Sequence, residues 1–258
     1  MSLIKNKKVL ITAGASGIGW ATAKILSQRG ARVFICDVDR NKINKINKDK
    51  KNNIKAYLCD VDEKNEVEIF FDQIKKSIKK IDCLINNVGI AGPTGSIENL
   101  NSENWSQTLK TNVISHFLFT KNSIPMLKKN KGGSIINISS TAGVFGFPLR
   151  SPYAVSKAAT ISFTKTAAME LGKFNIRVNA ILPGVTRGLR MKRVIEAKAK
   201  YLGVSKKKVE KDFISMASMN CWIEESDIGK LCSFLISDDG RKISGQSIAV
   251  DGNTLRAD

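Results

Sequence analysis

The chain has 258 residues, 42% of them hydrophobic, and sets 42 Lys and Arg against 23 Asp and Glu for a formal net charge of +19. That length suits one large α/β domain or two small ones, and no apolar run approaches the roughly twenty residues of a membrane span. The lysines spread over several segments ("NKINKINKDKKNN", "IKKSIKK", "MLKKNK", "VSKKKVEK") without interleaved base-stacking aromatics, so a solvated basic surface is expected and no specific nucleic-acid partner.

Met1 leads almost directly into "KKVLITAG", a strand pattern, and no signal peptide is expected. Short apolar runs then alternate with helical patterns, the mark of a doubly wound parallel α/β sheet of about seven strands with helices on both faces. Candidate strands are "KKVLITA", "ARVFICD", "IKAYLCD", "CLINNV", "SIINIS", "IRVNAIL" and "GQSIAVD". Helices are expected near 17–29, 40–50, 63–80, 102–129, 151–172 and 225–236. No repeat or Pro-rich linker marks a boundary, so the chain reads as a single domain. One basic, amphipathic stretch, 186–219, follows the sixth strand, where such sheets keep their ligand crevice, and reads as a flap. Cys36, Cys59, Cys83, Cys221 and Cys232 are scattered and form no C-x-x-C pair. Free thiols in the cytoplasm are expected, with neither disulfide nor zinc. The single histidine, His116, lies in an apolar helical run and reads as a packed residue; no metal site is expected.

The first strand-to-helix junction is "ITAGASGIGWA", with Gly14, Gly17 and Gly19. Small residues there let the backbone approach a pyrophosphate, and the helix N-terminus offers unpaired N–H groups and a positive dipole end. Asp37 ends the second strand, where a carboxylate accepts hydrogen bonds from ribose hydroxyls and repels a 2′-phosphate. No Lys or Arg immediately follows it, and Ser16 in the glycine turn is not basic, so NAD is favoured over NADP. Asp60 ends the third strand, able either to reach an adenine edge or to cap the next helix.

A second cluster lies in "SPYAVSK". Ser151 and Pro152 read as N-cap and first residue of a helix, which sets Tyr153 and Lys157 on one face. A phenol alone gives up its proton near pH 10, and a neighbouring ammonium favours the phenolate. Ser140 ends the fifth strand in "IINISS", on the same carboxyl edge of the sheet.

These residues together resemble the short-chain dehydrogenase/reductase family, in its compact single-domain branch of roughly 250 residues. The likeness spans the chain: "TAGASGIG", "NNVG" at 86–89, Asn112 in "KTNVISH", "NISS", "YAVSK", "RVNAILPG" and "ISGQSIAVDGN". It implies hydride transfer between a secondary alcohol or ketone and a nicotinamide cofactor. By that resemblance Tyr153 exchanges the proton, Ser140 holds the substrate oxygen, Lys157 also grips the nicotinamide ribose, and Asn112 anchors a relay water. Ser16, Gly17, Ile18 and Gly19 would line the cofactor, Asp60, Val61 and Asn86 its adenosine side, and Pro183, Gly184 and Thr186 its nicotinamide side. Three positions depart from the family pattern. Ala13 stands at a usual glycine, Val88 at an alanine, and Gly188 where a threonine often holds the carboxamide. Thr186 is the available substitute.

Substrate choice is expected in 89–98, in 141–150 and in the flap. Arg150, Arg187 and Arg190, with Arg193, can pair with an anionic group on a small hydroxy or keto substrate, or belong to the general basic surplus. Two other functions fit the same fold: an NADPH-dependent 3-oxoacyl-carrier-protein reductase, and a non-catalytic dinucleotide-binding regulator. In similar proteins the 102–129 and 151–172 helices pair across a two-fold axis, so a homodimer or homotetramer is expected.

Overall fold

A computed structural model of the chain describes residues 4–49 and 51–254. In chain order the elements are β1 (Lys8–Thr12), α1 (Gly17–Gln28), β2 (Arg32–Asp37), α2 (Arg40–Lys48), β3 (Ile54–Leu58), α3 (Lys64–Ser77), β4 (Cys83–Asn86), α4 (Ser102–Leu109), α5 (Ser115–Lys129), β5 (Gly133–Ile138), α6 (Ser151–Leu171), β6 (Ile176–Pro183), α7 (Leu189–Leu202), α8 (Lys206–Ser215), α9 (Glu225–Ile236) and β7 (Ser247–Val250). The strands form one parallel sheet in the order β3-β2-β1-β4-β5-β6-β7. The chain winds outward from β1 in one direction and, after β3, returns to place β4 on the other side of β1. The loops leaving the carboxyl ends of β1 and β4 therefore diverge, which opens a crevice there.

Each face of the sheet carries its own core. Val9, Ile11, Ile35, Ile85, Ile136 and Ile181 pack toward α1 and α9 with Leu26, Ile228 and Leu235. Leu10, Phe34, Leu84, Ile135 and Val178 face the other way, onto Phe70, Phe71, Phe119 and Leu171. Burial on both faces explains why the strands read as unbroken apolar runs. Among the described residues no helix is long and apolar enough to cross a membrane.

Three expectations change. The helix read as 102–129 is interrupted by a π turn at Lys110–Ile114, between α4 and α5; one extra residue per turn leaves the apolar spacing almost intact, so the sequence does not show it. α6 begins at Ser151, with Arg150 in the cap position, and the Ser151 hydroxyl has no partner. The flap stretch folds into α7 and α8, with a small core of Ile195, Ala199, Val209, Phe213 and Met216 that also takes in Phe147 and Trp222.

Candidate active site

The floor of the crevice is the β1–α1 turn. Gly17 has φ +58, a left-handed conformation that glycine adopts without strain, and Ala13 holds φ 49 at its own cost. A Cβ at Gly19 would collide with the Ala13 carbonyl and the Asn87 side chain. Thus glycine is required where α1 meets β4. The α1 N-terminus has no side-chain cap and no acid in its first turn. Its free N–H groups and dipole suit an anion such as a diphosphate. Asp37, at the end of β2, accepts from Ala15 N (3.0 Å) and Asp39 N (3.1 Å). A carboxylate has about four acceptor positions, so capacity remains for ribose hydroxyls. These residues fit a dinucleotide.

The opposite wall comes from β5 and α6. Lys157 is 2% exposed, donates to Ile138 O (2.9 Å), and holds its Nζ 5.7 Å from the Tyr153 ring centroid. Among the described residues it forms no ion pair, the ordinary escape for a buried ammonium. Burial, with a smaller push from the charge of Arg190, lowers its pKa to about 7. Ser139 Oγ donates to Lys157 O (2.7 Å) and so ties the end of β5 to α6. Ser140 is nearly buried, and its hydroxyl accepts from Ala142 N (3.2 Å).

Asn112 sits in the π turn and is fully buried. Its Oδ1 accepts from Ile90 N (2.7 Å), and its Nδ2 donates to Ile90 O (3.0 Å) and Ser156 Oγ (2.9 Å). Both amide hydrogens are thus taken, and what it offers a water is a lone pair of Oδ1 or a backbone carbonyl loosened by the π turn. A Cβ on Gly89 would lie 3.2 Å from Asn112 Oδ1 and 3.4 Å from Lys157 Nζ, so Asn112, Lys157 and Gly89 meet at one point.

Other sequence-predicted residues divide. Ile18, Gly14 and Ser16 belong to the turn; Pro183 ends β6, and Gly184 N donates to Val250 O (3.0 Å). The Thr186 hydroxyl donates back to Gly184 O (3.1 Å). Asp60 accepts from Asp62 N (3.0 Å), while the N-cap of α3 is Glu63, so Asp60 shapes a turn and does not cap the helix. Val61 packs in the core beneath it.

The Asn86 side chain is not in the crevice. It is fully buried and donates to Asn137 Oδ1 (2.8 Å) and Thr120 Oγ1 (3.1 Å), a polar rung within the sheet. Its neighbour Asn87 does the work at the site, donating to Thr12 O (3.0 Å) and Ala13 O (3.1 Å) and bracing the glycine turn. Strand alternation after β4 decides between the two, and that is where a sequence signal was available. His116 is buried against Val88 O (3.0 Å), and burial lowers its pKa to about 3.

Arg187 pairs with Glu224 (3.0 Å) and lies over Trp222. Arg190 reaches from α7 to Gly89 O (2.7 Å). Arg150 is buried beside Tyr153, 5.5 Å from guanidinium carbon to ring centroid. One residue that the sequence did not single out is Glu225, at the start of α9. Its Oε1 lies 2.7 Å from where a Gly188 Cβ would stand and 3.6 Å from that of Gly17. The carboxylate fills the space that a side chain at 188 would take.

Comparison with known proteins agrees with this geometry. The family described as enoyl-(acyl carrier protein) reductase matches residues 12–253. A 3-oxoacyl-[acyl-carrier-protein] reductase of Thermotoga maritima is 29% identical, covering 98% of this chain and 99% of its own. Dehydrogenase/reductase SDR family member 6 of Aquarana catesbeiana is 31% identical, covering 98% of both. The crystal structure of NAD⁺-bound xylitol dehydrogenase superposes with a TM-score of 0.92 at 30% identity, over 97% of this chain and 99% of that one. Sequence and sheet order thus converge with the family model and its relatives, and the chain belongs to the short-chain dehydrogenase/reductase family of oxidoreductases.

Proposed function

We propose that the protein interconverts a small secondary alcohol and its ketone with NAD(H), using Tyr153 as acid and base. The observation that carries this reading is Lys157: a buried amine with no anionic partner among the described residues, fixed beside a tyrosine at the carboxyl edge of the sheet. Desolvating a cation without pairing it is costly, so the fold retains it for a group that arrives later. When bound, the nicotinamide supplies or accepts the hydride. Tyr153 moves the proton at the substrate oxygen, Ser140 donates a hydrogen bond to that oxygen, and Lys157 stabilises the phenolate. Asn112 holds Ile90 by both its N–H and its C=O, which fixes the loop beneath the substrate.

Asp37 supports NAD over NADP. A 2′-phosphate beside its carboxylate would meet a like charge, with Val38 and Asp39 following and no Lys or Arg at either position. α7 and α8 (within 186–219) act as a lid over the substrate, and the buried free thiols suit a cytoplasmic setting. The 3-oxoacyl-carrier-protein reductase reading draws on the Thermotoga maritima relative and on the basic surface, which suits an acidic carrier protein.

Fluorescence titration with NADH and, separately, NADPH tests the cofactor half. Tighter NADH binding is expected; a preference for NADPH would promote the carrier-protein reductase. In the same assay Tyr153→Phe should bind NADH within about twofold of wild type while losing at least about 100-fold in turnover. Retained turnover would remove Tyr153 from the proton step.

A further inference from the structure

Arg150 is 5% exposed and forms no ion pair among the described residues, although it is charged at any working pH. Among the described residues its one side-chain hydrogen bond runs from Nη2 to Ala91 O (2.6 Å), and Nε is buried with no partner. The guanidinium carbon lies 5.5 Å from the Tyr153 ring centroid and 5.9 Å from that of Phe147. The preceding residue, Leu149, holds φ 65, a conformation strained for a bulky side chain. Leu149 O accepts from Gly95 N (3.0 Å), so the strained turn is bolted to the loop after β4. Strain is spent here on aiming a cation at the catalytic tyrosine.

A basic surplus does not explain this. Surplus arginines stay in water or pair with acids, as Arg193 and Arg187 do. Arg150 is instead withdrawn from water, aligned by two loops, and left with an unfilled donor. A buried unfilled donor on a charged group is costly, and a planar two-oxygen acceptor answers it. We propose that Arg150 is the anion-recognition residue for substrate, and that the substrate is a short hydroxy acid or the corresponding oxo acid. The carboxylate pairs with the Arg150 guanidinium, and the reacting carbon sits at Tyr153. The guanidinium lies directly beside the Tyr153 ring, so a carboxylate on the one and a reacting carbon at the other belong to a short ligand, which favours a 2- or 3-hydroxy acid over a long chain. This rests on the oxidoreductase reading above.

The test uses two unreactive ligands of one shape, butyrate and butyramide, titrated against the protein–NADH complex by fluorescence. Butyrate should bind at least about tenfold tighter in the wild type, and Arg150→Gln should erase that difference. The turnover arm compares 2- and 3-hydroxybutyrate with butan-2-ol. Arg150→Gln should raise KM for the acids about 100-fold, and any loss for butan-2-ol should be at least about tenfold smaller. Equal binding of butyrate and butyramide by the wild type overturns the proposal without any variant. An equal loss for acids and alcohol on Arg150→Gln does so as well, since a mere pin on Ala91 would act on both. If butan-2-ol is oxidised in a Tyr153-dependent way while the acids gain nothing, the oxidoreductase reading stands and the anion site falls. If NADH does not bind and nothing is oxidised, both fall.

Discussion

A single amine shows how the fold stores chemistry. Lys157 has a folded pKa of about 7, lowered first by burial and then by Arg190, against about 10.4 for an exposed lysine. The unfolded chain therefore binds more protons than the folded one between those values. Stability rises with pH across that window, and the burial penalty is present in full below pH 7. Replacing the group by Lys157→Met should flatten the curve. Between pH 7 and 9.5 the wild type is expected to gain roughly 3 kcal/mol on the variant in urea unfolding. Parallel curves would mean that the amine is solvated. An anionic ligand or a phenolate beside the amine draws the proton back, so the charge needed for the reaction is completed by what binds. Residue types and spacing made Tyr153, Lys157, Ser140 and Asp37 legible from sequence, because each is a chemical group within two turns of an element's end. Which of Asn86 and Asn87 turns its side chain toward the glycine turn was not legible, because adjacent identical residues differ only in the direction the strand gives them.

At the level of elements, the β1–α1 turn carries a cost that the sequence already hinted at. Ala13 stands at a position with φ 49. A left-handed alanine costs about 1 kcal/mol more than glycine would. Ala13→Gly should therefore raise the melting temperature by about 2–4 °C for a chain of this size. An unchanged or lower value would show that the methyl group's packing against the core of Phe70, Phe71 and Phe119 outweighs the strain. α1, α6 and α9 were legible in the sequence, α9 to the residue, while α7 and α8 were read only as a flap. The π turn was not, since its signature lies in backbone hydrogen bonds and leaves the pattern of side chains nearly untouched. Glu225 escaped for a different reason: its role depends on the missing side chain at Gly188, far away along the chain.

For the whole molecule, the faces that remain apolar in water bear on assembly. Ile114 and Phe117 near the start of α5 and Val155 on α6 are about half exposed, and Met169 is 86% exposed. We propose that α5 and α6 pair with a second copy about a two-fold axis, which would cover them. Sedimentation of the wild type should report a dimer or tetramer, and Phe117→Asp should shift it toward monomer. An unchanged mass would place the interface elsewhere. The surplus of positive charge opposes such pairing at low salt, so the association should tighten as salt is added.

The sheet order also dictates a sequence of events during synthesis. β1 is an interior strand, yet its second neighbour β4 begins at Cys83, and the Thr12 hydroxyl waits for the amides of Asn87 and Val88 (2.9 and 3.0 Å). Until that segment has left the ribosome, one edge of β1 stands bare and the glycine turn has no brace. The three strands β3-β2-β1 can form early, as a local unit with short connections. The crevice cannot close until chain far downstream has docked, a non-local step that carries its own loop entropy. The same topology that creates a ligand crevice therefore makes that crevice late to appear, and leaves a hydrophobic strand edge unprotected in the interval.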